Sequence, residues 1–83
     1  MNVDAQLRAV AANIKSRRNQ LRISQMQMAD LLNITQNAYS KIEMTKTKMS
    51  VERLYEIAGI LNISPTELVT INVTTMHPAK KAS

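Results

Sequence analysis

The stretch Gln25-Met-Gln-Met-Ala-Asp-Leu-Leu-Asn-Ile-Thr-Gln-Asn-Ala-Tyr-Ser-Lys-Ile-Glu-Met44 decides the fold of this chain. Its apolar residues recur at helical spacing in two short runs, over residues 25–32 and 36–43. On this spacing the inward face comprises Met28, Ala29, Leu31, Leu32, Ala38, Tyr39 and Ile42. Asn33 stands between the runs, and asparagine tolerates the positive φ that a tight turn requires. We therefore predict two helices packed across a tight turn.

The second helix leaves four polar side chains on its outward face, namely Gln36, Asn37, Ser40 and Lys41. A solvated helix face more often carries Glu/Lys pairs, whereas this face is uncharged to basic. Glutamine and asparagine can present a paired donor and acceptor to adenine, and lysine donates to guanine acceptors. The face therefore suits base reading. The alternative for the first two residues is simple preference for the start of a helix.

Positive charge is concentrated around the same stretch. Residues 15–48 hold seven Lys or Arg residues against two acidic ones, which accounts for the whole formal net charge of +5. In the rest of the chain, four basic and four acidic residues cancel. This distribution predicts a polyanionic partner, with a merely soluble basic surface as the alternative.

Length and composition bound the remaining possibilities. Eighty-three residues permit one domain, and the core must be aliphatic because Phe and Trp are absent. The chain has no cysteine and one histidine, His77. We therefore expect no metal site and no cofactor, and with no base placed to activate a hydroxyl we expect no enzyme. No apolar run reaches spanning length and no signal segment opens the chain, so we predict a cytoplasmic protein without membrane contact.

A short pattern, Leu-x-Ile-Ser/Thr, recurs at 21–24, 32–35 and 61–64. In each copy we expect the leucine to end a helix, the isoleucine to enter the core and the hydroxyl to cap the next helix. With the 3.6-residue apolar period, this predicts helices at about 5–20, 25–32, 36–43, 51–61 and 65–71. Their predicted inward residues include Leu7, Val10, Ala11, Ile14, Arg18 and Leu21 in the first, and Val51, Leu54, Ile57, Ala58 and Leu61 in the fourth.

An ordered set of motifs extends this pattern over about residues 8–71: Ile14-Lys15-Ser16-Arg17-Arg18, Ser24-Gln25 with Ala29, Ile42-Glu43, the segment 50–58 and the segment 61–68. The set resembles the Cro/CI-type, lambda-repressor-like helix-turn-helix family. The resemblance implies an all-α, compact five-helix domain over residues 1–71, with its recognition unit at 25–44. Residues 72–83 would form a C-terminal tail, with a short strand over 71–76 as the alternative.

The resemblance also suggests roles for individual residues. It implies base reading by Gln36, Asn37 and Lys41, and we predict the same for Ser40 from its position on the same helix face. It implies phosphate binding by Ser24, Gln25, Lys46 and Lys48. It joins Arg18 to Glu43 in a structural salt bridge, which agrees with the inward position of Arg18, because a buried charge needs a partner. The chain departs from the family where glycine is usual, at Arg22 and Asn33, and in the loop at Met44-Thr45 and Met49.

Together these features predict a sequence-specific transcriptional regulator that binds double-stranded DNA. We expect a homodimer on a two-fold operator, joined through the C-terminal third, where Leu68, Val69, Ile71 and Val73 are apolar. The alternative is a protein-interaction adaptor of the co-activator, ribosome-associated or antitoxin type.

Two details stay open. Gly59 either permits a close approach or is tolerated on an exposed helix face. The six methionines serve either as core filling, which we favour, or as an adaptable binding surface.

Overall fold

Five helices make up the part of the chain that the computed structural model describes, residues 3–70. They are α1 (Val3–Gln20), α2 (Gln25–Leu32), α3 (Gln36–Glu43), α4 (Val51–Ile60) and α5 (Pro65–Val69), and no strand occurs among these residues. The all-α prediction is confirmed, and so are the predicted bounds of α2 and α3. Helix α5 ends two residues before its predicted end, because Thr70 has an extended backbone with ψ of 116°.

The Leu-x-Ile-Ser/Thr pattern forms the junctions between helices. In each copy, the backbone of the second residue is in the left-handed conformation, with φ of 58° at Arg22, 60° at Asn33 and 52° at Asn62. The following isoleucine N–H then donates back into the helix that has just ended, as from Ile34 to the Ala29 carbonyl at 2.9 Å. This closure satisfies carbonyls that a helix end leaves free, so each helix ends abruptly and the next begins within a few residues.

Every helix contributes to one aliphatic core. Helix α1 packs against α3 and α5, while α4 packs against α2 and α5. The buried cluster consists of Ile14, Met28, Ala29, Leu32, Tyr39, Ile42, Ile57, Ala58, Leu61 and Leu68. This arrangement leaves α3 between the core and solvent, with one side buried and the other free.

Several predicted core positions are wrong. Leu31 is 62% exposed and Val51 is 71% exposed, and Leu7 and Leu21 are also exposed, at 44% and 38%. Around the axis of α2, Leu31 projects about 100° away from the buried side. Its side chain therefore lies at the edge of α4 and not in the core. Val51 is the first residue of α4, at the end of the helix that no neighbouring helix covers.

The structure also decides the two open details. A Cβ added at Gly59 would meet nothing within 4 Å, so this glycine lies on an open helix face. Met28 is buried and Met49 is half-buried, as core filling predicts, but Met26 and Met44 are exposed. Core filling therefore explains only some of the methionines.

The predicted tail over 72–83, its alternative strand, His77 and the residues Ile71 and Val73 lie outside the described residues. Within residues 3–70, no helix is long and apolar enough to cross a membrane.

Candidate nucleic-acid interface

Side-chain caps begin both α2 and α3. Ser24 caps α2, since its hydroxyl accepts from the Gln27 N–H at 3.0 Å and the Gln27 side chain accepts from the Ser24 N–H at 2.7 Å. Thr35 caps α3 by accepting from the Ala38 N–H at 3.0 Å. Between them, the positive φ predicted for Asn33 is confirmed. Because these bonds satisfy N–H groups that a helix start leaves free, they fix where α2 and α3 begin.

Helix α3 has a buried side and a polar outer side. Tyr39 is fully buried and anchors the helix in the core. Gln36, Asn37 and Lys41 are exposed, and Ser40 is half-buried beside them. The predicted reading face therefore lies outward as one surface, in which Ser40 is the least accessible member.

A buried network holds the C-terminal end of α3. Arg18 of α1 donates from Nε to Glu43 Oε2 at 2.6 Å and from Nη2 to Oε1 at 3.1 Å. Gln25 of α2 donates to Oε1 at 3.1 Å, and the Tyr39 hydroxyl donates to Oε2 at 2.5 Å. The Arg18 and Glu43 side chains are 8% and 3% exposed, so the predicted salt bridge is present and buried. Three helices therefore meet at one carboxylate.

The network perturbs the titration of its members. Burial raises the pKa of the Glu43 carboxyl, but hydrogen bonds from Arg18, Tyr39 and Gln25 oppose it and the net pKa lies below the ordinary value. Burial and the neighbouring carboxylate raise the pKa of the Tyr39 hydroxyl far above its usual range. Glu43 is therefore ionised and Tyr39 is protonated at neutral pH, as the hydrogen bonds require.

A polar cleft of about 550 Å³ lies between α3 and the start of α4. Its polar lining includes Asn37, Lys41, Thr47, Lys48, Ser50 and Arg53. The cations come from three different elements, and no acidic residue is among the lining residues. The cleft therefore has the positive charge to attract an anionic group.

Arg53 is not among the interface residues that the sequence predicts, since it belongs to the part of the chain whose charges cancel. Arg53 lies in the first turn of α4, and its Nη1 is 3.0 Å from Glu56 Oε1. The available signal was a basic residue three positions after the capping Ser50. Its nearness to α3 depends on tertiary packing and was not visible in the spacing.

Arg17 differs from Arg53, because it belongs to the basic region over residues 15–48 but contacts the fold and not the cleft. Its Nε donates to the Leu61 carbonyl at 3.0 Å and its Nη2 to the Asn62 carbonyl at 3.2 Å. One turn earlier, Asn13 donates to the Leu68 carbonyl at 2.8 Å. These two side chains bind the ends of α4 and α5, so the Arg17 charge serves the fold.

The comparison with protein families agrees with this geometry. A family model described as helix-turn-helix matches residues 14–68, more than half of the chain. The chain belongs to the Cro/CI-type helix-turn-helix family. No curated protein and no solved structure matches it.

As a member of this family, the protein is a DNA-binding helix-turn-helix domain with α2 and α3 as its motif. Ser24 and Gln25, predicted at DNA phosphates, lie at the start of α2. The Ser24 hydroxyl also caps the helix, and the Gln25 amide donates one N–H to Glu43. Their phosphate role stays a prediction.

The two predicted phosphate lysines of the helix-turn-helix domain lie in the loop after α3. Both are exposed, but only Lys48 lines the cleft beside α3. On the other side of the loop, Lys46 and Lys48 share a pocket of about 240 Å³ with Asp4 and Leu7 of α1. Asp4 therefore places a negative charge near these lysines.

Proposed function

We propose that this helix-turn-helix protein is a sequence-specific transcriptional regulator that places α3 in the major groove of DNA. The main support for this proposal is the outward face of α3. Gln36, Asn37 and Lys41 are exposed there, on a helix that buried Tyr39 anchors in the core. An α-helix fits the major groove, and these side-chain types pair with base edges there.

The surroundings of α3 suit contacts to the DNA backbone. Phosphate contacts position a protein on the duplex, and cations and helix starts supply them. The cleft beside α3 offers Lys48 and Arg53 together with the capped start of α4. A phosphate bound by these two cations would leave Gln36, Asn37 and Lys41 of α3 to reach the bases.

We further propose a homodimer on a two-fold operator, joined through the C-terminal third. Within that third, Val69 is 44% exposed whereas Leu68 is fully buried. Two copies related by a two-fold axis would present α3 to half-sites one helical turn, about 34 Å, apart.

Selection of binding sites from random double-stranded DNA tests this function. We expect an enriched inverted repeat that is bound at least about 1,000-fold more tightly than its shuffled sequence in gel shifts. Asn37→Ala should lose enrichment at one position of each half-site, while Met26→Ala, a change at an exposed α2 residue, should not. Equal binding of all sequences would contradict sequence-specific regulation.

A further inference from the structure

A shallow groove lies between α2 and α4, and none of its residues lines the polar cleft beside α3. Its volume is about 380 Å³, and its walls are formed by Leu31, Leu32, Tyr55, Glu56, Gly59 and Ile60. Leu31 and Tyr55 are each 62% exposed, although large apolar side chains gain from burial. Gly59 leaves an open space at the groove, since an added Cβ would meet nothing within 4 Å. The groove therefore combines apolar side chains with polar surface and has room for a side chain.

One carboxylate gives the groove its charge. Glu56 lies among the apolar residues, and its ion pair with Arg53 leaves it 48% exposed. Among residues 3–70, no lysine or arginine lines this groove. An occupant that combines apolar side chains with positive charge would therefore fit it best.

A second copy of the same face fits poorly. A stable dimer interface buries about 800 Å² on each partner through about 20–30 residues, far more than six groove residues provide. In addition, two-fold pairing would bring Glu56 close to Glu56 of the other copy, and like charges repel.

We propose that the groove binds the C-terminal segment of its own chain, residues 71–83. This segment carries apolar Ile71, Val73 and Met76 and the cations Lys80 and Lys81, with no acidic residue. Methionine adapts to irregular apolar gaps such as the one at Gly59. The two lysines provide the charge that Glu56 can pair with.

The position of Thr70 makes this arrangement possible. Its carbonyl accepts from Asn13 Nδ2 at 3.1 Å, so α1 holds the point where the segment begins. The path through the 62–64 turn and α5 places Thr70 at most about 25 Å from the end of α4. Ten further residues extend about 33–36 Å, which brings Lys80 within reach of Glu56. A tethered segment has a millimolar effective concentration, so a small groove is enough.

Paramagnetic relaxation tests the proposal without DNA, and therefore independently of the DNA-binding function. Since the chain lacks cysteine, Ala82→Cys provides a single spin-label site in the full chain. We expect the label to broaden the NMR signals of Leu31, Gly59 and Ile60 most strongly. Strongest broadening on another face, or none beyond the end of α5, would overturn the proposal.

Two variants and a mixed sample complete the experiment. Gly59→Leu adds a side chain where a Cβ meets nothing within 4 Å and should abolish the broadening, whereas Ala12→Leu, at an exposed position of α1, should not. Lys80→Glu with Lys81→Glu should also abolish it. In a mixture, spin-labelled chains without ¹⁵N should not broaden the NMR signals of ¹⁵N-enriched chains that carry no label. Broadening in that mixture would instead place the segment of a second copy in the groove.

Discussion

At the scale of single residues, Arg18 shows how a buried charge is retained. It lies on α1 and contacts α3, with Glu43 at 2.6 Å and the Ile23 carbonyl at 2.8 Å. Removing one partner of a buried pair leaves the other charge uncompensated, which typically costs about 3–5 kcal/mol. We therefore expect Arg18→Ala to lower the free energy of unfolding by about 3 kcal/mol or more in urea melts.

The Arg53–Glu56 pair is the matched control, because its side chains are 31% and 48% exposed. Solvent screens such a pair, so Arg53→Ala should cost less than about 1 kcal/mol. Equal losses of unfolding free energy in the two variants would mean that burial does not determine how much the Arg18–Glu43 pair stabilises the fold.

Glu43 should also make stability depend on acid pH. Burial raises the pKa of its carboxyl, but hydrogen bonds from Arg18, Tyr39 and Gln25 lower it more, so the folded value lies below the ordinary 4.5. A group with a lowered folded pKa stabilises the fold above its unfolded pKa, and this stabilisation is lost as the pH falls through the folded value. The stability difference between wild type and Glu43→Gln should therefore shrink in urea melts as the pH falls below 4.5. A difference that is constant down to about pH 2 would contradict the linkage.

At the scale of elements, the end of α3 carries local strain. Thr45 has φ of 56°, a conformation that is unfavourable for a β-branched residue by about 1–2 kcal/mol. Its N–H donates to the Ile42 carbonyl, so the helix end imposes this conformation. Thr45→Gly should raise the free energy of unfolding by about 1 kcal/mol, after the entropy cost of glycine. Asn33→Gly, at an equivalent left-handed position, should gain less because asparagine already tolerates it. Thermal melts of both variants decide the point.

Helix α3 and the loop after it should respond differently to substitution. If Asn37 reads a base edge, Asn37→Ala should cost about 1–3 kcal/mol on the preferred site and relax selectivity at one position. Lys46→Ala should weaken all sequences about equally and lower the salt slope by about one unit, because a phosphate contact releases counterions. Titrations of specific and non-specific DNA over a salt series separate the two effects. Should Lys46→Ala change the specificity ratio while Asn37→Ala leaves it intact, another element reads the DNA.

At the scale of the whole molecule, the proposed dimer makes half-site spacing a measurable quantity. We expect a two-fold site with half-sites about 34 Å apart to bind more tightly than one with five added base pairs, which rotate one half-site by about half a turn. Val69→Lys, placed at the exposed apolar residue of α5, should weaken binding to the full site but not to an isolated half-site. Leu21→Lys, an exposed residue at the end of α1, is the control. Equal affinity for both spacings would argue for independent monomers on DNA.

The sequence by itself determined the features that depend on neighbours a few residues apart. The bounds of α2 and α3, the caps at Ser24, Thr35 and Ser64 and the positive φ of Asn33 all follow from local steric and hydrogen-bonding rules. Ordered motifs also indicated the family, because their spacing reflects the same helices. These interactions act within one turn or one junction, so the linear pattern contains them.

The tertiary structure decided which side of each helix is covered and which polar groups are already in use. Leu31 and Val51 have the periodicity of core residues, but no neighbouring helix covers them. Gln25 and Arg17 are polar residues of the DNA-binding half, yet they donate to Glu43 and to the end of α4. Arg53, conversely, lines a cleft with residues of α3. Such outcomes depend on how separate helices pack together, and a one-dimensional periodicity contains no information about that placement.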